Sequence, residues 1–477
     1  MGSLSPARQA ARPDPATAHV ERAAAAAPAA ATVAAAPTAA PARAPVAPAA
    51  AAAPPAPAAL APSDVRRALR TSMLEGAVAT VHISITGVIG GSVFLTGFAM
   101  LLGANSFQLG LLGALPFIGQ LTGFLGAYLE ERVGNRRSLV LYGALGGRLI
   151  WALLLALPFL SFLGGAQLAV FFAALALSYA LNGIAGNAWL SWMSDLVPPR
   201  ERGSYFGVRN TVAAIAAMAT TFLAGAGLDA MRAQGLEAGG YAMVFGVAVL
   251  AAFGSAALVA RQAEPPVQRR AHVSLREMLG APLADRPFRA FVAANMGWAF
   301  VTGVATPFFN AYGLTTLQLS FATLGLTAVV TGAVSLVFGP LVGRLQDKLG
   351  YRRVLVACVA GSVLLPWGWV LSTPTNIWPL WLTAIFSGVF WPGLTQGLAN
   401  VMMERAPAEH RGAAIATFGA FGGLGTLAAG LVGGLIATAV AGSQIAIGPL
   451  SIAGLAFLFV LTSLGRGVMA LVFWRTL

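Results

Sequence analysis

A helix of about 20 apolar residues crosses the roughly 30 Å hydrocarbon layer of a bilayer. From Met73 onward this chain is a succession of such runs, parted by short polar breaks. The runs predict helices near Met73–Leu102, Phe107–Leu129, Ser138–Leu163, Ala166–Ser194, Gly207–Ala230 and Tyr241–Ala260. A polar stretch from Arg261 to Arg289 follows, and six more runs lie near Ala290–Gly313, Leu317–Val342, Val354–Leu371, Ile377–Met403, Ala413–Val440 and Pro449–Phe473. Only 9% of the residues are charged and the mean hydropathy is +0.77, too little charge to cover a soluble protein of 477 residues. The reading is an all-α polytopic membrane protein.

The formal charge of +13 does not point to nucleic acid, because the basic residues fall in the breaks rather than on one soluble face. Arg132, Arg136 and Arg137 occupy the second break, Arg200 and Arg202 the fourth, and Arg261, Arg269, Arg270, Arg276, Arg286 and Arg289 the sixth. Arg344, Lys348, Arg352 and Arg353 fill the eighth, and Arg405 and Arg411 the tenth, whereas Arg232 stands alone in the odd breaks. Basic loops stay on the cytoplasmic side, so both termini and every even break are expected there, with twelve helices between. The near absence of Lys fits a GC-rich genome, and the expected location is a bacterial inner membrane.

Residues 1–64 form an Ala/Pro-rich stretch whose prolines forbid a spanning helix, and it reads as a disordered cytoplasmic tail. An organellar leader is the alternative for that segment. The expected domains are then 65–261, a linker at 262–289 and 290–477. Within the linker, Ser274 and Glu277 have capping-box spacing, which suggests a short surface helix; an unstructured linker is the competing reading. Cys358 is the single cysteine, so no internal disulfide and no cysteine metal site can form.

One break is unusual. Gly343 to Arg353 reads GRLQDKLGYRR, and a worn copy, LEERVGNRR, spans Leu129 to Arg137. A second pair of matching segments runs Asp195, Pro198, Arg202-Gly203 and Glu404, Pro407, Arg411-Gly412, with the same internal spacing. The repeat indicates a six-plus-six duplication. At these residues the chain resembles the major facilitator superfamily, whose hinge motif has the form G-x-L-x-D-R-x-G-R-R. Gly343, Leu345, Asp347, Lys348, Gly350, Arg352 and Arg353 fit it; so do Glu131, Arg132, Gly134, Arg136 and Arg137, with Ala127 where the first Gly should stand.

The resemblance implies two pseudo-symmetric six-helix bundles and a secondary transporter, and it implies acids at the ends of helices 4 and 10 that engage the hinges. Two latches are therefore expected, Glu131–Arg136/Arg137–Asp195 and Asp347–Arg352/Arg353–Glu404, holding the cytoplasmic side closed. The competing role for these charges is to anchor and orient the helices.

Polar groups at membrane depth are costly and need partners or water. Arg148, inside the third run, costs roughly 2.5–3.5 kcal/mol unpaired, and reads either as a contact for a substrate anion or proton, or as a structural pair with a carbonyl or Glu75. Glu75 and His82 share one helix face; Glu75 reads as a hydrated boundary residue and His82 as a candidate for proton coupling. The resemblance places helices 1, 4, 7 and 10 around a cavity. The candidates there are Asn182 and Trp189, then Asn295, Trp298 and Thr302, then Trp391, Gln396 and Asn400, with amide glue and interfacial Trp belts as the competing reading. Trp192 reads as belt.

No phosphate-binding loop, metal-spaced cluster or catalytic constellation appears, so an enzyme and a cofactor are not expected. The expected function is alternating-access transport of a small neutral or anionic organic solute, driven by protons and working as a monomer in the bilayer. Drug or metabolite efflux, an uncoupled facilitator and a non-transporting assembly factor are the alternatives. Drug–proton antiporters of the superfamily usually carry Gly-Pro in helix 5, and Thr211 to Gly227 has no proline.

Overall fold

The computed structural model describes residues 60–87, 91–133, 135–198, 200–265, 282–407, 411–447 and 450–477. Gly134, nearly all of the Ala/Pro-rich tail and the linker segment with Ser274 lie outside the described residues. A first set of helices comprises α1 (Pro62–Thr86), α2 (Val93–Leu101), α3 (Ser106–Ala114), α4 (Pro116–Val133), α5 (Arg136–Ala156), α6 (Gln167–Leu196), α7 (Arg202–Ala233) and α8 (Glu237–Arg261). A second set comprises α9 (Arg286–Thr315), α10 (Phe321–Leu349), α11 (Tyr351–Gly361), α12 (Leu365–Val370), α13 (Trp378–Arg405), α14 (Arg411–Ala439) and α15 (Ala456–Thr476). Each set packs mainly on itself as a bundle.

Ten segments among the described residues are long and apolar enough to cross a bilayer, and Leu223, Leu250, Val337 and Leu464 are among the large apolar side chains left on the outside of the bundles. The first expected helix differs from its reading. It starts at Pro62, where proline suits a first turn and Asp64 faces the amide dipoles. It breaks at Gly87, whose φ of +66° is left-handed, and restarts at Val93 under a Ser92 cap. The ninth breaks too, α12 beginning beside Pro366. Between α14 and α15 an antiparallel hairpin pairs β1 (Gln444–Ile447) with β2 (Leu450–Ala453), Gln444 opposite Ala453. Residues 450–453 are thus strand where the apolar run predicts helix, and Ile445, Ile447 and Ile452 follow the alternation of a strand.

The end of the bundles that carries the Arg-rich breaks is called the basic end below, and the other the far end. At the far end the two bundles meet along two seams. In one, a Cβ on Gly110 would fall 2.4 Å from the Gly430 carbonyl oxygen, so α3 and α14 touch backbone to backbone. In the other, Gly225 of α7 lies against the Phe321 backbone and Gly325 of α10 against Thr221. Phe321 then stacks on Phe94, at 6.3 Å between ring centres, and meets Tyr241 edge-on, which plugs the second bundle into the aromatic core of the first. Asp229 of α7 accepts hydrogen bonds from Phe321 N (3.0 Å) and Ala322 N (2.7 Å), a carboxylate capping the first turn of a helix in the other bundle.

Because no side chain fits at Gly110, Gly110→Val is expected to wedge the α3–α14 seam open. In a Cys358→Ser background, a cysteine at Thr96 beneath the seam should then react several-fold faster with a membrane-impermeant maleimide added from the far side. Unchanged labelling would show that this seam does not seal the far end.

Candidate functional site

Below the seams a cavity of about 470 Å³ lies between the bundles. The first bundle contributes Thr96, Gln120, Tyr179 and Asn182, and the second Thr302, Thr306, Asn310 and Thr426. None of its lining residues is charged. The Thr302, Thr306 and Thr426 hydroxyls donate back to their own helix, to Trp298 O (2.9 Å), Thr302 O (2.8 Å) and Gly422 O (3.2 Å). Their lone pairs stay available as acceptors. Gln120 and Asn310 have no hydrogen bond to the protein among the described residues, so both amides can donate and accept toward an occupant. The surface suits hydroxyl and carbonyl groups on an uncharged body.

Of the sequence candidates, Asn182 and Thr302 line this cavity and the others do not. Trp298 is buried in the second bundle against Trp391 and Phe473, with ring centres 6.5 and 6.4 Å away. Asn295 reaches across to Phe418 O at 3.5 Å. Asn400 donates to Gln346 Oε1 (3.0 Å), which joins α13 to α10, and Gln396 lies beside Gly343 near the basic end. These helix-7 and helix-10 amides and rings pack between helices, because a helix presents only one stripe to a cavity. Arg148 does not line this cavity.

Arg148 belongs to a buried network inside the first bundle. Its Nη1 donates to Ser255 Oγ (2.8 Å) and Ala252 O (3.4 Å), and Ser255 donates to Glu75 Oε1 (2.7 Å). Arg209 Nη2 pairs with Glu75 Oε2 at 3.3 Å, and its guanidinium lies 4.4 Å from the centre of the Trp189 ring. Glu75 is therefore buried and paired, not a hydrated boundary residue. Arg148, Arg209, Glu75, Trp189 and Asn182 line a second cavity of about 320 Å³. His82 lines neither cavity: its Nδ1 sits 3.0 Å from Ala248 O and its ring meets Trp151 edge-on, which removes it from contact with solute. Trp192, read as belt, is fully buried and donates to Ala263 O at 3.2 Å.

At the basic end each hinge is tied within its own bundle. Arg136 is buried between Glu130 (2.5 Å) and Asp195 (2.7 Å), and Glu264 accepts its backbone N–H at 2.7 Å. Glu130 stands where Glu131 was expected; the Glu131 side chain lies outside the described residues. In the second bundle Arg352 pairs with Glu404 at 2.8 Å on the surface. Gly350 turns the hinge with φ +86°, and Asp347 and Arg353 are exposed and make no ion pair among the described residues. Arg137 is likewise exposed, while Arg132 lies over Tyr128 at 4.8 Å. Arg136–Asp195 and Arg352–Glu404 are pairs that the expected latches contain, and each lies within one bundle.

Sequence reading missed Arg209, Glu130, Asp229, Gln120 and the buried Arg466, which donates to Ser362 O at 2.9 Å. The signal for Arg209 was present: a buried Glu75 needs a cation, and Arg209 is the basic residue just inside the fifth run. Nothing comparable marked Asp229, whose partners are backbone amides.

The family model described as Major Facilitator Superfamily matches residues 79–330 and 300–475. Two curated relatives align over 113 residues each: a class D tetracycline resistance protein of Salmonella ordonez at 33% identity, over 23% of this chain, and a class H one of Pasteurella multocida at 26%, over 24%. The match spans 27% of either relative's length. Among solved structures, a D-xylose–proton symporter superposes with a TM-score of 0.65 at 17% identity, covering 86% of this chain and 98% of its own. The nucleoside transporter NupG gives 0.61 at 13%, over 85% and 98%. A bacterial ferroportin homologue in an inward-facing state gives 0.62 at 14%, over 86% and 98%.

The two hinges should differ in cost. Arg136→Gln removes the buried cation between the half-buried Glu130 and the more exposed Asp195, a loss of about 1.5–3 kcal/mol, whereas Arg352→Gln breaks an exposed pair worth about 0–1 kcal/mol. Thermal unfolding in detergent should therefore show a large drop for Arg136→Gln and little change for Arg352→Gln.

Proposed function

The chain belongs to the major facilitator superfamily, and from that premise we propose that it is a secondary transporter of a small, uncharged organic solute rich in hydroxyl or carbonyl groups. The observation that carries this reading is the cavity of about 470 Å³ walled by both bundles, polar but without charge. A site shared by two bundles is exposed to one side or the other as the bundles rock about it. With the basic end in the cytoplasm, as the loop charges indicate, the sealed far end makes the present form inward-facing. In the opposite form the basic end closes, and Asp347 and Arg353, exposed at that end, are among the groups free to make contacts across it. Twelve spanning helices, a bacterial inner membrane and a monomeric working unit complete the reading.

Protons are the proposed driving ion. Glu75 is the buried carboxylate available among the described residues, and Arg209, Arg148 and Tyr205 lie around it. Efflux is the second reading, supported by the two tetracycline resistance relatives.

Reconstitution in proteoliposomes and a screen of radiolabelled hydroxylated solutes, with and without an imposed pH gradient, tests the reading. One solute should accumulate above its equilibrium level only with the gradient. Gln120→Leu should raise its KM about tenfold with little change in protein stability, and Glu75→Gln should abolish accumulation while leaving counterflow exchange. Asp347→Asn should depress transport without affecting insertion. Accumulation that is indifferent to the gradient would mark a facilitator, and accumulation of tetracyclines in inverted vesicles would favour efflux.

A further inference from the structure

The first bundle holds two guanidinium groups, Arg148 and Arg209, against one carboxylate, Glu75, around a cavity of about 320 Å³. Arg148 is 8% exposed and its Nε has no hydrogen-bond partner. Ser255 has its hydroxyl committed to Glu75, and Asn182 donates to Ser178 O at 2.8 Å, so neither answers that positive charge. His82 adds no negative charge and is turned toward Ala248 and Trp151, outside the lining. The wall therefore carries one positive charge beyond what its carboxylate neutralises, in a setting where an unpaired charge is strongly unfavourable.

We propose that this cavity binds a small monovalent anion. The occupant would sit against Arg148 and Arg209, the two guanidinium groups in the cavity wall. A carboxylate fits a guanidinium edge best, because its two oxygens match paired N–H groups. A halide offers the same charge without that fit. The cavity is distinct from the uncharged one between the bundles, although Asn182 borders both. Occupancy at one cavity can thus be felt at the other through α6.

Binding can be measured on the purified full chain in detergent with no transport. Sodium acetate, sodium chloride and the uncharged acetamide are titrated at constant ionic strength. The readouts are melting temperature and tryptophan emission, with Trp189→Phe identifying the reporting ring. Acetate should give a saturable rise in melting temperature and acetamide none. Chloride matching acetate would make the site a general monoanion site, and chloride much weaker would make it a carboxylate site; both support the proposal. Arg148→Gln should weaken acetate at least tenfold. Glu75→Gln, which raises the excess positive charge, should tighten acetate several-fold, and it serves alone if Arg148→Gln does not fold. No saturable response to either anion, or weaker acetate binding in Glu75→Gln, overturns the proposal. A failed solute screen in proteoliposomes would leave this result unaffected.

Discussion

Two helices can touch backbone to backbone only where a side chain is missing, and the closure of this protein depends on that constraint. Gly110 meets Gly430 and Gly434 on one seam, and Gly225 and Gly325 meet Phe321 and Thr221 on the other. A contact made of close-packed surfaces has few intermediate positions: a small separation already forfeits much of the dispersion attraction. Such seams separate or hold, which is what a gate requires. Asp229 adds direction, because its carboxylate rewards the docked position of α10 by satisfying two amides that would otherwise lack partners.

Burial of charge organises the rest. The first bundle encloses Arg136 between two acids at its basic end and Arg148, Arg209 and Glu75 deeper in. These charges are enclosed within the same bundle, so the bundle can move as one body without exposing them to lipid. The second bundle does the same with fewer ions. Arg352 and Arg405 also donate to the carbonyls of Leu477 and Thr476, meeting the negative end of the α15 dipole. The cavity between the bundles is left without a charged side chain.

The sequence showed the helical membrane architecture and the family plainly, because apolar run length and loop charge are local signals. The repeat was legible for the same reason: Asp195 and Glu404 open segments with the same internal spacing to Pro and to Arg-Gly. Side-chain direction was not. Trp298 shares its helix with the cavity residues Thr302 and Thr306 but packs on Trp391 inside a bundle, and a rotation of about 100° per residue decides which. Glu75 was misjudged because its partner lies 134 positions away on α7. The break at Gly87 was readable in principle, since Gly87, Gly90 and Gly91 cluster before Ser92, a helix-capping residue.

Rigid bundles with a splitting seam can move only by rocking, so opening at one end must close the other. Paired spin-label distances in nanodiscs test this most directly. Labels at Ala104→Cys and Ala441→Cys span the far end, and labels at Glu201→Cys and Lys348→Cys span the basic end, both in the Cys358→Ser background. Rocking predicts that Gly110→Val lengthens the far-end distance and shortens the basic-end distance in equal proportions of the population. A longer far-end distance with an unchanged basic-end distance would contradict it.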